Sequence, residues 1–194
     1  MTKLGGFRKK NIAVFISGTG SNFKNLHKFS LKKNTRFKIN LLVCNNKKAK
    51  GLIHAKKFKI KTTVINYQNK NKAEKKILYS LKKNKIELIC LAGFMKILSK
   101  NFIKIFNRKI INIHPSLLPK YKGLNTHEKV IKNNDKFSGC TVHYVNSKLD
   151  TGKIILQKKV KVLKNDNPEK LAKRVLKQEH FLYPKALNKV LINL

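Results

Sequence analysis

The sequence predicts an α/β fold: a mostly parallel central sheet with helices on both faces and an antiparallel C-terminal extension. Three observations predict it. Short apolar runs alternate with amphipathic stretches up to residue 113. Glycine-containing turns close several of those runs, and after residue 113 the rhythm changes to two extended segments in succession. Strands that alternate with helices wind right-handed into a parallel sheet covered on both sides.

Asn11-Ile-Ala-Val-Phe-Ile-Ser17 is a continuous apolar run, the pattern of a strand buried on both faces, and Gly18-Thr19-Gly20-Ser21 closes it. Phe23, Leu26, His27 and Leu31 then share one face of a predicted helix. Lys38–Cys44 reads as a second strand, a region near Lys48–Phe58 as a helix, and Thr62–Ile65 as a third strand. In the helix predicted over Lys70–Lys83, Ala73, Ile77 and Leu81 are spaced to face the sheet. Ile86–Leu91 is a fourth strand, Leu98–Phe106 a short helix and Ile110–Ile113 a fifth strand. Gly139–Val145 and Lys153–Val162, around the turn Asp150-Thr151-Gly152, form the antiparallel extension. A last helix over Pro168–Val190 has Asn167 as its cap, Pro168 in its first turn and Glu169 placed for the dipole. No repeat or linker interrupts the 194 residues, so one domain is expected, with 1–10 a loose basic extension.

The formal charge of +38 invites a polyanion partner, because clustered lysines neutralise phosphates and release counterions. Residue usage argues otherwise. Lysine outnumbers arginine about ten to one, and the better fork for phosphates is confined to Arg8, Arg36, Arg108 and Arg174. The lysines are spread along the chain with no aromatics interleaved to stack bases, and Asn, Ile and Phe are also abundant, as A/T-rich codons favour. No specific nucleic-acid partner is expected. No run approaches the about 20 apolar residues of a membrane span, and the basic start lacks a signal-peptide core. Cys44, Cys90 and Cys140 are odd in number and far apart, and two of them lie in strand-like runs. Buried free thiols in a cytoplasmic protein are the expectation.

Three places carry candidate chemistry. Gly18-Thr19-Gly20-Ser21-Asn22 lies where a strand turns into a helix, and free N–H groups at a helix start suit an anion. It is neither a dinucleotide fingerprint nor a P-loop, and a plain tight turn explains it equally well. Asn112-Ile-His114-Pro115 puts an amide and an imidazole on one side of a strand that Pro115 ends, although a histidine beside proline is more often structural. Asn can stabilise an oxyanion and His can share a proton near neutral pH. Leu118-Pro119 is a candidate cis bond. Among only eight acids, Asp150 is placed to orient His114 or to serve its turn, and Glu179 to serve a site or pair with surface lysines. The remaining histidines show no metal spacing, and no metal is expected.

Ile16-Ser-Gly-Thr-Gly-Ser-Asn22, Leu91-Ala-Gly-Phe-Met-Lys-Ile-Leu98, Asn112-Ile-His-Pro-Ser-Leu-Leu-Pro-Lys-Tyr121, Leu149-Asp-Thr-Gly-Lys-Ile-Ile-Leu-Gln157 and Gln178-Glu-His180 occur in that order. Together they closely resemble the folate-dependent phosphoribosylglycinamide formyltransferase family of purine synthesis, over nearly the whole chain. The resemblance implies a Rossmann-like formyltransferase fold and formyl transfer from 10-formyltetrahydrofolate, as co-substrate, to the amine of 5-phosphoribosylglycinamide. It implies catalytic roles for Asn112, His114 and Asp150. It places the substrate phosphate at Gly18, Thr19, Gly20, Ser21 and Asn22, and the other end of that substrate at Glu179. On the folate side it implies Met95, Lys96, Ile97 and Leu98, with Asn112 and more loosely Lys70. Thr19, Lys96, Asn125, Cys140 and Leu176 depart from residues frequent in that family. Lysine at 96 keeps charge without the planar fork.

Methionyl-tRNA formyltransferases share this logic and would suit the charge, but usually carry a further C-terminal domain. The expectation is therefore a small phosphorylated amine as substrate and a monomer or homodimer.

Overall fold

The structure, a computed structural model, describes residues 8–192. Its elements in order are β1 (Lys10–Ile16), α1 (Ser21–Ser30), β2 (Phe37–Cys44), α2 (Gly51–Lys57), β3 (Lys61–Val64), α3 (Lys70–Lys83) and β4 (Leu88–Leu91). Then follow α4 (Lys100–Phe106), β5 (Ile110–His114), α5 (Thr126–Lys132), β6 (Phe137–Tyr144), β7 (Ile154–Lys161) and α6 (Pro168–Ile192). One sheet orders them β3-β2-β1-β4-β5-β6-β7. The first five strands of that order pair in parallel, while β5–β6 and β6–β7 are antiparallel. The predicted class and the change of rhythm after β5 both hold.

Two apolar layers sandwich the sheet. Strand alternation sends Ile12, Val14 and Ile16 of β1 to one layer, against α1 and α6, and Ala13 and Phe15 to the other, against α3 and α4. The Tyr183 ring is wholly buried in the first layer, and its hydroxyl donates to the Leu91 carbonyl at 2.9 Å. All three cysteines are free and buried, and burial pushes the Cys90 and Cys140 thiols up, the latter to about 12. Among the described residues no helix is long and apolar enough to cross a membrane.

Element boundaries moved for identifiable reasons. Leu31, expected on the buried face of α1, is the C-cap and 71% exposed, because the helix ends one residue earlier. α4 starts at Lys100 rather than Leu98, since the Ser99 side chain caps it by accepting from the Phe102 N–H. α5 was not anticipated: only Thr126 and Val130 are buried, too little to write a periodic signal. The expected N-terminal extension lies outside the described residues up to position 7. From there Arg8 and Lys10 pair with Glu87, and Lys10 already belongs to β1.

α6 shows how the sequence manages its own irregularities. Asn167 caps it as predicted, its Oδ1 accepting from the Lys170 N–H at 2.8 Å. Pro184 lies inside the helix and has no N–H for the His180 carbonyl. Asn25 of α1 donates its side-chain amide to that carbonyl instead. Ahead of the helix, the Arg174 guanidinium grips Asp166 with two nitrogens and holds its carboxyl down at about 2. A carboxyl depressed in the folded state stabilises above its unfolded pKa, and the contribution is lost as pH falls through the folded one. Asp166→Asn is expected to lower unfolding free energy by about 1 kcal/mol near pH 7. In chemical denaturation at a series of pH values, that difference should shrink below pH about 4 and vanish only below about 2.

Candidate active site

The sheet order reverses between β1 and β4, so the connections leaving their carboxyl ends diverge and open a crevice, where open α/β sheets bind ligands. Both connections are predicted site segments. From β1 the chain enters the Gly18–Asn22 turn. Gly20 adopts φ +70°, and a Cβ there would lie 2.9 Å from Gly51 Cα, so the turn and the start of α2 touch backbone to backbone. α1 begins at Ser21 with no side-chain cap and no acid in its first turn, which leaves its first N–H groups open to an anion. Gly18 and Thr19 are exposed while Asn22 is buried.

Asn22 Nδ2 donates to Glu179 Oε2 at 2.6 Å, joining the turn to α6. Glu179 is 7% exposed, so the surface ion pair weighed for it is overturned. Burial pushes its carboxyl up, with the Asn22 hydrogen bond pulling the other way. Asn22 Oδ1 is buried with no partner, an acceptor left for a ligand or water.

β5 delivers Asn112 and His114 to the same edge. His114 is 5% exposed, and its Nε2 donates to the Tyr121 carbonyl at 2.8 Å, since a carbonyl can only accept. Its Nδ1 lies 3.5 Å from Asp150 Oδ2. Asp150 comes from the β6–β7 connection, sits at φ +49° and also accepts from the Gly123 N–H at 2.9 Å. The three residues predicted to act together therefore converge from two distant parts of the chain.

A fourth group completes the cluster, and sequence reasoning did not select it. His143 stands directly opposite Asn112 in the antiparallel β5–β6 pair. Its Nδ1 donates to the Tyr144 carbonyl at 2.8 Å, so Nε2 is free to accept from Asn112 Nδ2 at 3.2 Å and lies 3.6 Å from Asp150 Oδ1. Burial, more than any other influence, lowers the proton affinity of this ring; the Tyr144 carbonyl and Asp150 oppose that and His114 adds to it. A neutral His143 with a lone pair on Nε2 satisfies the Tyr144 and Asn112 contacts, while its approach to Asp150 is not a hydrogen bond. The signal that selects it is the strand register, which composition and spacing do not carry.

The loop after His114 is held by buried polar contacts. Leu118-Pro119 is cis. Thr141 Oγ1 donates to the Ser116 carbonyl and accepts from the Leu118 N–H, while Gln157 Nε2 donates to the Leu118 carbonyl.

From β4 the chain passes through Met95, Lys96, Ile97 and Leu98. Met95 and Ile97 are 62% and 63% exposed, large apolar side chains displayed beside the crevice. Lys96 is exposed, whereas Leu98 is buried in the layer with Phe102 and Phe106 and anchors the segment rather than facing outward. Lys70 is the exposed first residue of α3.

An open doubly wound sheet with an uncapped helix start, an amide, two imidazoles and a carboxylate along its switch-point edge has the layout of an α/β group-transfer enzyme. Comparison with known families matches residues 10–187 to the formyl transferase family. The chain belongs to that family. It is 40% identical over 178 residues to the phosphoribosylglycinamide formyltransferase of Haemophilus influenzae, covering 90% of this chain and 84% of that protein. It is 41% identical over 186 residues to the human trifunctional purine biosynthetic protein adenosine-3, of whose length the chain spans 18%. Among solved structures, the phosphoribosylglycinamide formyltransferase of Brucella melitensis is 40% identical, with a TM-score of 0.90 over 95% of this chain and 96% of that one.

Proposed function

We propose that the chain transfers a formyl group from 10-formyltetrahydrofolate to the primary amine of 5-phosphoribosylglycinamide, as a cytoplasmic enzyme of purine synthesis. The observation that carries this reading is the meeting of His114 and His143 at Asp150, with Asn112 bonded to His143, beside a helix start left open for a phosphate. The substrate phosphate takes the Gly18–Asn22 turn, and Glu179 and the open acceptor of Asn22 take its polar body. Met95, Ile97 and Lys96 flank the folate ring, and Lys70 lies at the margin.

Attack of the amine on the formyl carbon makes a tetrahedral centre whose oxygen becomes negative. Asn112 can give that oxygen an N–H, because neutral His143 holds the amide in one orientation through its other hydrogen. His114, held by its Nε2–H on the Tyr121 carbonyl with Nδ1 3.5 Å from Asp150 Oδ2, can share a proton with that oxygen, and Asp150 orients the ring for it. The amine loses a proton, and collapse of the intermediate returns an electron pair to the folate nitrogen, which gains one. The test is direct: the purified chain, incubated with both compounds, should yield N-formylated product and tetrahydrofolate in equal amounts. Folded protein at saturating folate that makes no such product sinks the reading.

A further inference from the structure

The segment from Ala92 to Ser99 belongs to no helix or strand, yet it displays two large apolar side chains to solvent. Such a segment holds its shape only if its backbone is tied. It is tied at both ends. At the near end, the Ser17 N–H donates to the Gly93 carbonyl at 3.0 Å and the Met95 N–H donates to Ser17 Oγ at 2.7 Å. At the far end stands Glu74 of α3. Its Oε1 accepts from the Ser99 N–H at 2.8 Å and from the Tyr67 hydroxyl at 3.2 Å, and its Oε2 accepts from Ser99 Oγ. The Tyr67 ring in turn meets Phe94 edge-on at 5.9 Å, inside the segment itself.

Glu74 is 5% exposed, and among the described residues no lysine or arginine forms an ion pair with it. A buried carboxylate without a cation is costly unless hydrogen bonds replace its water. Here the donors come from Tyr67 and from the end of the exposed segment. The chemistry suits an acid: Ser99 presents an N–H and an O–H together, while a lone pair of its oxygen caps α4, and the two oxygens of a carboxylate meet both donors at once. Lys70 lies one helical turn before Glu74 on the same face of α3.

We infer that Glu74 is a positioning residue that fixes the far end of the 92–99 segment and thereby sets the affinity for the formyl donor alone. This rests on the reading above, in which Met95 and Ile97 flank the folate. Ser17 differs, because it is bonded to this segment and also leads into the phosphate turn.

The test varies both substrates in steady state for the wild-type chain, Glu74→Ala and Glu74→Gln. In Glu74→Ala the KM for 10-formyltetrahydrofolate should rise about tenfold, with the KM for phosphoribosylglycinamide within about twofold and kcat within about threefold. Glu74→Gln keeps the shape and one acceptor, and should bring the folate KM back to within about threefold of wild type. Calorimetric binding of tetrahydrofolate should weaken in parallel. A merely structural role would lower melting temperature and active fraction and leave both KM values alone. A folded Glu74→Ala with wild-type folate KM, or with both KM values raised alike, overturns the inference. If Glu74→Ala does not fold, Glu74→Asp, whose shorter side chain withdraws from Ser99, makes the same comparison and the same outcomes decide. An inactive wild-type chain is a failure of the proposed function and shows before any variant is compared.

Discussion

Replacing His114 by alanine is expected to lower kcat/KM by about 10²–10³, the usual loss when one donor to a developing oxyanion is removed. The ring is nearly enclosed, with both nitrogens facing acceptors, the Tyr121 carbonyl and Asp150. That arrangement holds the ring in one orientation, which matters most when the substrate oxygen carries charge. The loss should therefore fall mainly on kcat rather than on KM. Asp150→Asn should keep the hydrogen bond from the Gly123 N–H while removing the charge beside both imidazoles, and is expected to cost at least about tenfold in kcat. Steady-state kinetics, with circular dichroism to establish that the fold is intact, makes the comparison. Near-wild-type rates in both variants would show that the cluster does not act on the reacting atoms.

The second large effect is expected at Gly152. A methyl group at this position would overlap the Tyr144 carbonyl oxygen, and the obstacle is backbone, not a side chain that can swing away. The strands are also closed here, since the Tyr144 N–H donates to the Lys153 carbonyl at 3.0 Å. The turn cannot accept the methyl without shifting, and Asp150 lies two residues away on the same turn. Gly152→Ala should cost about 1–3 kcal/mol of stability, as overpacking usually does. It should also lower kcat/KM to about the level of Asp150→Asn, and the two changes combined should cost far less than their sum, because both act through one carboxylate. Thermal unfolding and a double-mutant cycle measure this. Additive losses would separate the turn from the carboxylate.

Much of this architecture is legible in the residues. The β1 run, the period of Ala73, Ile77 and Leu81 in α3, and the Asn167 cap of α6 are local patterns, and each appears where expected. Asn112 and His114 were legible as a pair because two residues on one strand face need no partner to be read. Which side chains of the Met95–Leu98 segment turn outward was not legible, because the motif carries no sign of it; burial of Leu98 with Phe102 and Phe106 decided that. His143 and Glu74 escaped for a related reason. One is an ordinary strand residue until β6 is laid against β5 in its register, and the other an ordinary helix residue until Ser99 arrives beside it.

By itself, then, the sequence determined the order and kind of most elements, the parallel-to-antiparallel change after β5, and the ordered motifs that mark the formyl transferase family. These depend on contacts between near neighbours in the chain, and near neighbours leave periodic traces. Only the tertiary structure decided that Asp150 meets both His114 and His143, that Glu179 is buried against Asn22, and that Glu74 ties down the segment beside the crevice. All of those contacts except His143 with Asp150 join residues far apart in sequence, and they are chosen by strand register and layer packing, for which no local pattern stands.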